Sequence, residues 1–438
     1  MASKEHTHPA YTTTTDNPIP NNEQSNEPPD GGYGWVCTVA AAIINAHSWG
    51  FNSAYAVFLA YYLDNEVFPG ATPLQYAFVG SLSLTCLFLT SPIATIAVRK
   101  VGLRPTMFCG VALESASLVA ASFASRIWHL FLTQGILFGT GLGLLFIPTA
   151  AIVPQWFTTK RSLASGVALS GAGAGGLIYS LSAAAMIRSL GLETAFRILA
   201  ILAFVVNTSC TLLVKDRSQE IGANQAAFNT SLFRKPEYLL LLGFSAFTML
   251  GYFVLIFSLA DYATQIGLNS TQASLASAVF NLGQAVGRPL AGYFSDTTGR
   301  VNMATVITFV AGILPLAVWT SAQSYGVLMF FALSEGLVAG SFWATIAPLV
   351  AEVVGLKQTS QGLNLLWLAI VVPCTFSEPV ALEIFQGTGS YLGTQLFTGF
   401  MYVAAAGCLL VLRGMVGTDE YCSGQGGIWR RCFRWKIV

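Results

Sequence analysis

"SLASAVFNLGQAVGRPLAGYFS", residues 274–295, is long and apolar enough to cross the hydrocarbon core of a bilayer as a helix, yet it carries Arg288. An arginine near the middle of a membrane costs about 2.5–3.5 kcal/mol on insertion scales, so it marks a functional site whose partner has to be found. Asn281, Gln284 and Arg288 stand at i, i+3 and i+7, which places all three on one helical face as a polar stripe.

The chain around that stretch is a membrane protein by composition. Of its 438 residues 54% are hydrophobic and only 9% charged, with 42 glycines and a mean hydropathy of +0.62. Apolar stretches of bilayer length fall at 35–61, 74–98, 106–124, 129–156, 162–187 and 195–214, then at 237–261, 272–295, 302–322, 325–351, 360–380 and 391–412. The fold class read from this is an all-α membrane protein of twelve transmembrane helices. Residues 1–32 read as a polar, disordered cytosolic tail, 33–214 and 237–412 as two six-helix bundles, 215–236 as a cytosolic linker, and 413–438 as a second cytosolic tail. No cleavable signal peptide is expected ahead of the first span.

Most of the 21 Lys and Arg fall in loops on the side of the termini, while Arg126, Arg188 and Arg197 lie on the other, so both termini are expected in the cytosol and the protein in the cell membrane. A formal net charge of +1 with basic residues scattered through short loops excludes a nucleic-acid partner. No phosphate loop, dinucleotide fingerprint, zinc-spaced cluster or nucleophile elbow is present, so no enzyme, metal site or cofactor is expected. Cys37, Cys86, Cys109, Cys210, Cys374 and Cys408 read as small packing residues. Cys422 and Cys432 read as reduced tail thiols, with palmitoylation as the alternative. The sequon at Asn269 lies too close to a span for glycosylation to be expected, and the one at Asn229 is cytosolic in this topology.

An internal repeat supports the two-bundle reading. "SPIATIAVRKVGLRP" (91–105) and "RPLAGYFSDTTGRVN" (288–302) share Pro92/Pro289, Ala94/Ala291 and Gly102/Gly299 at one offset, each copy in the same loop of its half. The second copy, Gly292, Asp296, Gly299 and Arg300, resembles the loop motif of the major facilitator superfamily: glycine permits a sharp turn, and the Asp296 carboxylate can cap a helix or meet a basic residue across an inner gate. The first copy carries Arg99 where that aspartate would stand.

The string "PPDGGYGWV", Pro28 to Val36, has the acidic Asp30, the glycines Gly31, Gly32 and Gly34, and the aromatics Tyr33 and Trp35, which suit an interfacial helix start with both rings at headgroup depth. It resembles the opening signature of the monocarboxylate transporter family, and "GTGLGLLFIPTAAIVPQWFTTKRSLASGVALSGAGAGGLIY" (139–179) follows that family's pattern in the fungal style. The resemblance implies alternating-access movement, proton-linked or facilitated, of a carboxylate-bearing small molecule, an organic anion, with Arg288 holding the carboxylate. It also implies an aspartate one turn before Arg288 and a lysine in the first span, but Gln284 and Ser53 stand there. Glu335 and Glu114 are the replacement proton-coupling candidates, with Glu335 expected to pair with Arg288. The first span offers a stripe of Asn45, Ser48, Asn52 and Tyr55; His47 points away from it and reads as a helix–helix hydrogen-bonder, with a proton carrier as the alternative. Tyr179, Asn364 and Trp367 are further cavity candidates, and the glycines of the fifth span read as close-packing positions. Efflux of a carboxylated secondary metabolite is the alternative to uptake. A non-transporting sensor is the reading from another class.

Overall fold

The computed structural model describes residues 30–221 and 228–416; the tail before residue 30, the middle of the linker and the two tail cysteines lie outside the described residues. Among these residues the helices line up as twelve spans. Span 1 is Tyr33–Ser53 continued by Tyr55–Asp64, and span 2 is Pro73–Leu89 continued by Ser91–Val101 at a 43° bend. Spans 3 to 6 are Leu103–Ala121, Ile127–Trp156, Arg161–Leu190 and Leu192–Leu213. Spans 7 to 9 are Pro236–Gln265, Ser270–Thr298 and Arg300–Ala317. Spans 10 to 12 are Tyr325–Val354, Leu356–Thr388 and Leu392–Val416.

By length and composition, eight spans are apolar enough to cross a membrane alone, and a ninth once the bent pair is taken as one. The remaining three are spans 1, 3 and 8, which hold the Asn45 stripe, Glu114 and the Arg288 stripe. The polar groups that lower their hydropathy are thus concentrated inside the bundle, where burial among helices replaces contact with lipid.

The repeat reaches further than its sequence match. Thr72 and Gln75 form a capping box at the start of span 2, and Asn269 and Gln272 form one at the start of span 8. Their offset, 269 − 72 = 197, equals that of the proline pair, 289 − 92 = 197. Gly102 and Gly299 both end their spans with left-handed backbone, φ +102° and +96°, a conformation that glycine alone adopts cheaply. The prolines diverge: Pro92 follows the bend in span 2, whereas Pro289 sits inside a continuous helix.

Close packing within and between the halves uses glycine. A Cβ on Gly171 or Gly175 would strike the carbonyls of Ala42 and Ala46 in span 1, and one on Gly166, Gly173 or Gly292 would strike backbone across the contact between spans 5 and 8. Replacing Gly171 with valine is therefore expected to cost about 3 kcal/mol, because neither backbone can yield. A detergent melting curve unchanged by the substitution would show that the two helices are free to separate.

Candidate functional site

Arg288 is buried at the contact between the two halves. Its Nη1 donates to the Leu169 carbonyl of span 5 at 2.6 Å, and its Nη2 to the Tyr252 hydroxyl of span 7 at 3.3 Å and to Gln284 Oε1. Tyr252 in turn donates to Gln284 Oε1 at 2.7 Å, and Gln284 Nε2 reaches Asn281 Oδ1 at 3.5 Å. The stripe Asn281–Gln284–Arg288 is thus one connected set. Among the described residues every hydrogen-bond acceptor of Arg288 is neutral, and its Nε has none. A buried guanidinium without a counter-charge is a site in want of an anion.

The expected pairing of Arg288 with Glu335 is not formed. Gly340 stands against the guanidinium: a Cβ there would lie 3.0 Å from Arg288 Nε and from Gln284 Oε1. Glu335 is five residues earlier on span 10, roughly 140° around the helix and about 7.5 Å along it, so it faces elsewhere. It is fully buried, and neither carboxylate oxygen has a hydrogen-bond partner among the described residues. Glu114, equally buried, ties three spans together: its Oε2 accepts from Ser48 at 3.1 Å and from Asn207 at 3.0 Å, and its Oε1 has no partner among the described residues.

The first-span stripe does not act as one surface. Asn45 donates to the Ala168 carbonyl of span 5 at 3.0 Å, whereas Asn52 accepts from Ser83 at 3.1 Å and Tyr55 donates to the Tyr76 carbonyl at 2.9 Å, both on span 2. His47 hydrogen-bonds to the Ile43 carbonyl of its own helix at 2.9 Å instead of bridging helices; its link to span 5 is an edge-on ring contact with Tyr179 at 5.7 Å. Asn364 joins the halves, accepting from Ser91 at 2.8 Å and Thr95 at 3.0 Å, and lines a cavity of about 30 Å³.

One end of the bundle is closed by carboxylates. Asp296 accepts from the backbone N–H groups of Ser162 at 3.0 Å and Leu163 at 2.8 Å, capping span 5 from the opposite half. Arg300 donates to the Thr158 carbonyl at 3.0 Å and lies 3.5 Å from Asp296 and 3.6 Å from Glu352. Asp30 takes the neighbouring donors, the N–H groups of Thr158, Thr159 and Lys160 at 3.0, 3.1 and 3.4 Å, and the Thr159 hydroxyl. Its expected place at the start of its own helix is corrected: Gly32 is the N-cap of span 1, without a side-chain cap, and Asp30 serves the loop before span 5. The rings of the signature pack beside the same loop. Tyr33 donates to the Leu213 carbonyl at 2.8 Å and stacks under the Lys215 ammonium, while Trp35 meets Phe157 edge-on at 5.0 Å. Gly34 has no room for a side chain, since a Cβ would lie 2.8 Å from that of Trp156.

Tyr252 gave no signal in the sequence, as one aromatic in an apolar run. Trp343 of span 10 and Trp49 of span 1 were equally silent; they meet at 5.2 Å across the two halves. Aromatic rings brought together from three helices are a pattern only the packed bundle reveals.

Burial pushes the Asp30 carboxyl up, but the side-chain bond from Thr159 and the backbone N–H groups outweigh it and hold the pKa at about 2. A carboxylate with a depressed pKa adds stability that is complete above its ordinary value of 3.8 and lost as pH falls through about 2. Acid melts between pH 5 and about 2 should therefore show a steeper loss for the native chain than for Asp30→Asn, which lacks this titration. Parallel curves would remove Asp30 from the closure.

The sequence matches the family described as Major Facilitator Superfamily over residues 37–259 and 239–437. It is 32% identical to the probable transporter MCH2 of Saccharomyces cerevisiae over 91% of this chain and 86% of that protein. It is 27% identical to the fujikurins efflux protein of Gibberella fujikuroi (90% and 85% covered) and 26% to monocarboxylate transporter 10 of Mus musculus (83% and 75% covered). The solved proton:xylose symporter XylE shares the fold at a TM-score of 0.65 and 15% identity, covering 85% of this chain and 94% of that one.

Proposed function

Because the chain belongs to the major facilitator superfamily, and is a membrane transporter and not an enzyme, we propose that it moves a carboxylate-bearing small molecule by alternating access, driven by protons. The observation that carries this reading is Arg288, a buried cation whose hydrogen-bond partners are all neutral and which bridges the two halves. A ligand carboxylate supplies the missing charge. By taking over the guanidinium it also withdraws Arg288 from Leu169, so that binding loosens a contact between spans 5 and 8. Gln284, Tyr252 and Asn281 orient the arginine. Asp296 and Arg300 then act as the latch that must open on the side of the termini, which this reading puts in the cytosol of a cell whose plasma membrane holds the protein.

Proton linkage rests on Glu335 and Glu114. A carboxyl buried without a cation is held most cheaply as the neutral acid, and a group that loses its proton only when a helix moves it toward water is what coupling requires. Glu335, with neither oxygen bonded, is the better carrier, since Glu114 is engaged by Ser48 and Asn207.

In proteoliposomes with an imposed pH gradient, Arg288→Lys should lower carboxylate flux at least about tenfold, because an ammonium cannot make the paired hydrogen bonds of a guanidinium. Full-rate transport by the lysine variant would exclude carboxylate holding by Arg288. Glu335→Gln should abolish gradient-driven accumulation and spare exchange; an unchanged pH dependence would take Glu335 out of the mechanism. The name of the fujikurins efflux relative supports a second reading, outward movement of a secondary metabolite. Accumulation confined to inside-out vesicles would favour it.

A further inference from the structure

Beside Arg288 the two halves meet through a cluster of aromatic rings. Trp49, Phe88 and Phe146 come from the first half, and Tyr252, Trp343 and Trp367 from the second. Trp49 lies 5.2 Å from Trp343 and 5.3 Å from Phe146. Phe146 and Phe88 each lie 5.6 Å from Trp367, and Trp343 stacks on Trp367 at 6.1 Å and 20°. Tyr252, which hydrogen-bonds to Arg288, lies 6.1 Å from Trp343. All six rings are buried, and the indole N–H groups of Trp49 and Trp367 have no acceptor among the described residues.

The cavity that Phe146, Trp343 and Trp367 line holds only about 10 Å³. Any ligand that reaches Arg288 from this side must part rings that now pack on one another. Parting them forfeits the stacking and edge-to-face terms that aromatic pairs gain beyond their buried area. A flat aromatic ligand restores those terms face by face, whereas a saturated ligand of equal size restores only the area. The two unpaired indole donors add a second demand, since a buried N–H without an acceptor is costly and a ligand oxygen would relieve it.

We propose, resting on the carboxylate reading of Arg288, that the substrate is a planar aromatic carboxylate bearing a hydrogen-bond acceptor remote from its carboxyl. Its carboxylate meets Arg288, its ring plane replaces the contacts across the halves, and its acceptor meets the indole N–H of Trp49 or Trp367. Because the rings belong to both halves, one flat ligand sandwiched between them couples occupancy to the movement of one half against the other.

Equilibrium dialysis on the full chain in lipid nanodiscs tests this with 2-naphthoate, its fully saturated decahydro analogue, 2-naphthylmethanol and anthraquinone-2-carboxylate. The naphthoate should bind at least about tenfold more tightly than the saturated acid. Equal affinity, or no binding of either aromatic acid, would overturn the inference. If naphthylmethanol bound as well as naphthoate, the anion reading of Arg288 would fall while the aromatic wall stood. Trp367→Phe keeps a ring and removes the donor, so it should weaken anthraquinone-2-carboxylate about fivefold and leave naphthoate unchanged. Equal loss for both acids would exclude the donor role. Trp319→Phe, a buried indole that packs on Tyr262 and Phe331 away from this cluster, should change neither.

Discussion

The hydrogen bond from Arg288 to the Leu169 carbonyl joins the two halves through a buried charge. A guanidinium with only neutral acceptors is stabilised by geometry and not by a counter-ion, and that geometry depends on the helices around it staying close. Gly166 lets the Arg288 backbone lie against span 5, Gly340 leaves room for its side chain, and Tyr252 and Gln284 hold its plane. Loosening any of these contacts exposes the cost of the charge.

The closure at the end near Asp296 works by the same economy of backbone groups. The first turn of a helix leaves N–H groups without partners, and here the segment from Thr158 to Leu163 finds them in two carboxylates from different parts of the chain. Asp30 belongs to the same half and Asp296 to the other. One carboxylate therefore shapes the loop from within its own half, while the other ties it to the opposite half.

Much of this was legible in the residues. The spans, the repeat and the Asn281–Gln284–Arg288 stripe follow from hydropathy and helical period, because both depend on local spacing alone. Glu335 shows where local reading stops: its cost in lipid was evident, but which neighbour it faces depends on the rotation of span 10 against span 8, set by Gly336 and Gly340. The Asn45–Asn52 stripe fails for a related reason. Residues on one face of a helix can still meet three different neighbours when that helix is surrounded, as span 1 is by spans 2, 3 and 5. Proximity in sequence places Asp30 at its nearest helix start, whereas the donors it takes are more than a hundred residues away.

The paired capping boxes at Thr72 and Asn269 bear on how the molecule is made. Each uses only residues within one turn, so the first turns of spans 2 and 8 are set locally and need no contact with a neighbouring helix. The same device at the same offset in both halves therefore starts span 2 and span 8 alike, whatever each helix meets on its other faces.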